Sequence, residues 1–208
     1  MSPSASLAAR VAGAVTALGY LLGIVDGPVV GVVGGLALVS LGRALVAEPG
    51  TELLGPTAFA LVAGSSGVVA LRWGTLSMAD IRGVQGVLGP TVLVGPDAVA
   101  IASLAALVAG VVALGLWLGE PRAGHDRSRW WWVELAAGAL LLTSLYSGPA
   151  PASAADVVTW VAGVALIAAA AVGAAHLAAT VGLRWRVALL AAAGAVIAGG
   201  AATVGALV

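Results

Sequence analysis

Apolar residues in this chain come in long unbroken runs, and the polar residues fall between them. Seven runs stand out: Leu7–Val25, Val29–Ala47, Leu53–Leu71, Ala98–Leu118, Trp130–Tyr146, Val157–Val181 and Val187–Leu207. Each approaches the ~20 residues that a helix needs to cross a bilayer's hydrocarbon core. None alternates with period two, so all seven runs predict helices, which satisfy their own backbone polar groups in lipid. Prolines mark the limits of the runs. Pro28, Pro49, Pro56, Pro96, Pro121, Pro149 and Pro151 lie near or beyond run ends, where a missing N–H is tolerated.

The segment 75–97 breaks this pattern. Ser77 and Asp80 have the spacing of a capping box, which predicts a short helix from Ser77. Met78, Ile81 and Leu88 share one face of it, interrupted by Gln85. Gly89-Pro90 and Gly95-Pro96 then bracket a short apolar stretch, Thr91–Val94. The segment reads as an interfacial or re-entrant element between the third and fourth spans. Its candidate lid or gating residues are Ser77, Asp80, Arg82, Gln85, Pro90 and Pro96.

Charge placement gives an orientation. With the N-terminus inside, Arg10, Arg43, Arg122, Arg127, Arg129, Arg184 and Arg186 fall on the cytoplasmic side, and Arg72 and Arg82 fall outside. That bias of seven against two obeys the positive-inside rule. It requires 75–97 not to cross. The tryptophans agree: Trp73, Trp117, Trp130, Trp131, Trp132, Trp160 and Trp185 all stand at predicted span ends, where indoles favour the headgroup level. The expected fold is therefore all-α: a single multi-pass domain over 1–208 in the cell membrane, N-terminus in and C-terminus out. A three-plus-one-plus-three arrangement is suggested, with 7–71 and 130–207 flanking a connector, 98–118.

Composition narrows the chemistry. Charged residues make up 9% of the chain and hydrophobic residues 61%, against roughly 25% charged in a soluble domain. Cysteine, lysine and asparagine are absent. This removes thiolate chemistry and a lysine Schiff base. The net charge of zero offers no footprint for nucleic acid. No cofactor or metal is expected. Glu120, His125 and Asp126 are weak as a ligand set, because they sit together in one charged loop. Ser65 and Ser66, in Gly64-Ser65-Ser66-Gly67, lack a base at their depth.

Three ionisable residues fall inside predicted spans: Arg43, Glu134 and His176, at similar depth on the inner side. Intramembrane ionisable groups are costly and mark candidate sites. His176 shares a helix face with Ala169, Gly173 and Thr180, which predicts that it points at another helix. Small residues also recur at fourfold spacing, at Gly19, Gly23, Gly27, Gly31 and Gly35, and at Gly194, Ala198 and Ala202. Such faces allow close helix packing in lipid, within the chain or with a partner.

Two functional classes follow. The first is a non-enzymatic integral subunit or interaction protein of a larger membrane assembly. Its partners would be the lipid bilayer and other membrane subunits or further copies of itself. The second is a small transporter or channel for an ion, a proton or a small solute, built on the inner polar trio and the 75–97 segment.

Overall fold

The computed structural model describes residues 54–93, 95–119, 127–146 and 154–207. These residues are helical and form no strand. The helices are α1 (Leu54–Trp73), α2 (Met78–Leu88), α3 (Asp97–Leu118), α4 (Arg127–Tyr146), α5 (Ala154–Thr180) and α6 (Leu183–Leu207), with a 3-10 turn, η1 (Thr91–Leu93), between α2 and α3. Four of them, α1, α3, α5 and α6, are long and apolar enough to cross a membrane. In α4 the apolar part is shorter, Glu134–Tyr146, because charged and aromatic residues fill its first two turns. The expected spans Leu7–Val25 and Val29–Ala47, with Arg43, lie outside the described residues, as does the loop holding Glu120, His125 and Asp126.

Helix α3 is the hub. It packs against α1, α4, α5 and α6, and over half of its apolar window is buried. The sequence reading cast this stretch as a connector. Its composition explains the central place: Ala102, Ala106, Ala109, Gly110, Ala113 and Gly115 let neighbouring helices approach closely. A Cβ added at Gly115 would collide with Ala174 Cβ and lie 2.9 Å from the Ala171 carbonyl oxygen of α5. One added at Gly119 would lie 2.8 Å from the Ala175 oxygen. Gly110 faces Ser65 of α1 and Leu142 of α4, and Gly138 of α4 faces Leu114.

These contacts also fix direction. Residues 110 and 114 of α3 meet 142 and 138 of α4, so the two run antiparallel. Gly200 of α6 meets Ala102, whereas Arg186, near the start of α6, donates to the Gly119 oxygen, so α6 is antiparallel to α3 as well. By the same logic α5 runs parallel to α3, and α1 runs parallel to α6. One end of the bundle therefore gathers the C-termini of α1, α4 and α6 with the N-terminus of α3.

Helix α6 packs through Leu190, Ala193, Ile197, Gly200 and Val204, alternating steps of three and four that make a narrow seam. The expected small face is displaced from it: Gly194 is half-buried against Leu61, and Ala198 and Ala202 are exposed. Trp117 also departs from the interfacial reading. It stands at a helix end, but its ring is 1% exposed within the core. Trp132 and Trp185 do remain largely exposed.

Candidate functional site

The break after α1 follows from Gly74. Its φ of 63° is a left-handed conformation that suits a residue without a Cβ. Gly74 N–H bonds to the Leu71 oxygen and Thr75 N–H to the Ala70 oxygen, which is a Schellman closure. Ser77 then caps α2 as its spacing predicts, its hydroxyl accepting from Asp80 N–H at 3.2 Å. The reciprocal half of the box is relayed through Thr75. Ser77 N–H donates to the Thr75 hydroxyl, which donates to the Asp80 carboxylate. Gly89, at φ 98°, ends α2, and its N–H bonds to the Gln85 oxygen at 2.8 Å. Pro90 supplies the carbonyl that closes η1, and Pro96 the carbonyl that receives Val99 and Ala100 N–H at the start of α3.

This segment caps the end of the bundle, and beneath it lies a buried polar cluster. Arg72, in the last turn of α1, donates from Nη1 to the Thr91 carbonyl and, at 2.7 Å, to Ser103 Oγ of α3. The Ser103 hydroxyl donates in turn to the Val99 oxygen at 2.8 Å. The guanidinium carbon lies 4.9 Å from the centre of the Trp73 indole, a cation–π distance. Trp73 Nε1 donates to Thr91 Oγ1 at 3.1 Å. Gln85 Nε2 donates to the same hydroxyl at 2.8 Å and to the Leu145 carbonyl of α4 at 2.6 Å. Thr91 Oγ1 in turn donates to the Leu145 oxygen at 2.9 Å. Arg72, Gln85, Thr91 and Ser103 are all buried.

A second layer sits below. Tyr146 follows Leu145, and its side chain leans back toward the start of α4, as helical side chains do. Its hydroxyl donates to the Ser65 carbonyl at 2.7 Å and lies 2.9 Å from Ser65 Oγ. Ser65 Oγ also lies 2.8 Å from the Ala106 oxygen of α3. Two hydroxyl protons thus serve three contacts joining α1, α3 and α4. Ser66 bonds back to the Val62 oxygen within its own helix.

The structure redistributes the candidates read from sequence. Of the lid residues, Gln85 enters the cluster, Ser77 and Asp80 build the cap of α2, and Pro90 and Pro96 set turns. Arg82 is half-buried, and its Nε donates to the Met78 oxygen. The apolar face of α2 is corrected: Met78, Ile81 and Gln85 are its buried residues, whereas Leu88 is 54% exposed. In η1 the polar Thr91 faces inward and Leu93 faces out. Glu134 is buried, about two turns into α4, because that helix starts at Arg127. His176 is corrected too. It and Ala169, Gly173 and Thr180 are exposed, because α5 packs through Ile167, Ala171, Ala175 and Ala178 instead. Of the trio Arg43, Glu134 and His176, the described residues thus include a buried Glu134 and an exposed His176, and Arg43 lies outside them.

Arg72, Thr91, Ser103 and Tyr146 were not singled out by sequence reasoning. The available signal was Gln85, a carboxamide on the apolar face of a short helix, which requires buried partners. No protein family, curated protein or solved structure matches this chain.

Proposed function

We propose that the protein is a seven-span integral membrane protein, N-terminus in, that serves as a non-enzymatic subunit or interaction component of a larger membrane assembly. The observation that carries this reading is the use made of the polar cluster. Arg72, Gln85, Thr91, Ser103, Ser65 and Tyr146 hydrogen-bond to one another and to backbone carbonyls across α1, the cap, α3 and α4. Polar side chains arranged in this way hold helices in register. The cap is an outer-surface element in this reading. The exposed side chains of Val87, Leu88 and Leu93 suit a headgroup boundary, where apolar groups meet acyl chains.

The test is affinity purification of the native protein from its own membrane in mild detergent, followed by mass spectrometry. Stoichiometric membrane partners are the expected result. A protein that purifies alone, and that moves a solute when reconstituted alone, replaces this reading with the second one, a small transporter or channel. The feature favouring that alternative is the position of Arg72 and Gln85 under a cap bounded by left-handed glycines, Gly74 and Gly95.

A further inference from the structure

The hydrogen bonding around Gln85 closes except at one atom. Thr91 Oγ1 has one proton and two lone pairs, and all are engaged: it accepts from Trp73 and Gln85 and donates to the Leu145 oxygen. The Leu145 oxygen accepts twice, from Gln85 and Thr91. Both Nε2 protons of Gln85 are engaged as well. Gln85 Oε1 is buried and has no hydrogen-bond partner among the described residues. The amide orientation is fixed by chemistry. Exchanging Oε1 and Nε2 would set one acceptor 2.6 Å from another, the Leu145 carbonyl.

We infer that Gln85 Oε1 is the binding site for one uncharged hydrogen-bond donor, a single internal water molecule. The donor is uncharged because the cluster already holds one buried cation: Arg72 bonds to the Thr91 carbonyl and Gln85 Nε2 to the Thr91 hydroxyl, and the guanidinium disfavours a second positive charge in the same cluster. An anion would oppose one acceptor with another. The donor is small because Gln85 is 1% exposed and Oε1 itself is buried, so the site has no opening to admit a larger group. A buried acceptor without a donor is destabilising, and ordered water is the usual remedy in a polar site. The water makes the cap a hydrated joint between α2 and the end of α4.

The chain carries its own probe. Gln85 is its one glutamine and asparagine is absent, so a single side-chain carboxamide pair exists in the protein. With the full chain 15N-labelled in lipid nanodiscs, that pair is observed without assignment. The expected result is a direct cross-relaxation peak from water to the Gln85 NH2 protons, with the sign of a water that tumbles with the protein. Absence of that peak in the folded protein, or a peak arising from lipid or protein hydroxyl protons in its place, overturns the inference. A density map at about 2 Å gives the independent reading. A water 2.6–3.2 Å from Oε1 supports the site, and a protein donor at that distance overturns it.

Discussion

Thr91 is a node of the cap, since its single hydroxyl bonds to Trp73, Gln85 and Leu145. Replacing it with valine keeps the shape and leaves the Trp73 N–H and one Gln85 N–H unpaired. Thr91→Val is expected to destabilise the fold by roughly 1–3 kcal/mol, while Thr91→Ser stays near wild type because the hydroxyl is retained. Reversible unfolding in mixed micelles reads the difference. Tyr146→Phe removes the hydroxyl that joins α4 to Ser65 and is expected to cost ~0.6–1.7 kcal/mol by the same measurement, the range for interhelical hydrogen bonds in membrane bundles. At this scale the sequence was partly legible. Ser77 announced its cap because capping is local, needing a hydroxyl three residues before a free N–H. Arg72 did not announce its burial, because its partners, Thr91 and Ser103, lie in other elements and nothing in the residues beside it names them.

Elements were easier to read than their packing. The helices begin and end close to the limits of the apolar runs, because run length and proline position are properties of a single segment. Which face packs depends on the neighbours. Helices α3 and α6 are apolar on every side, so periodicity could not choose a face for them. Spacing alone therefore left the small face Gly194, Ala198 and Ala202 open to packing within the chain or with a partner, and within the chain α6 packs through Leu190, Ala193, Ile197, Gly200 and Val204. The close approach between α3 and α5 rests on Gly115 and Gly119. Gly115→Ala places a methyl group against Ala174 and the α5 backbone and must push the helices apart. A loss of about 1–3 kcal/mol is expected from such overpacking. Gly173→Ala on the exposed side of α5 is the control, since nothing lies within 4 Å of its added Cβ. It is expected to be neutral or to stabilise by up to about 1 kcal/mol through helix propensity.

For the whole molecule, the antiparallel packing of α1 and α3 bears on where 75–97 lies. Had that segment crossed, α1 and α3 would run in the same direction. Instead Arg72 at the end of α1 bonds to Ser103 near the start of α3, and Ser65, two turns back, meets Ala106 and Gly110, further along α3. The cap end carries Arg72 and Arg82, whereas Arg127, Arg129, Arg184 and Arg186 belong to the opposite end. By the positive-inside rule this distribution favours the proposed orientation, in which the cap faces outward. The chain's lack of cysteine makes this testable in an unaltered background. Ala79 is exposed on α2, and Gly182 is exposed in the turn before α6, near the far end of the roughly 33 Å that α3 spans. Ala79→Cys is expected to react with a membrane-impermeant maleimide on intact cells, and Gly182→Cys after permeabilisation alone. The converse pattern would invert the orientation and assign the cap to the cytoplasm. Labelling of both cysteines from one side would mean that the bundle does not cross the bilayer, and the membrane assembly proposed for it would fall with that result.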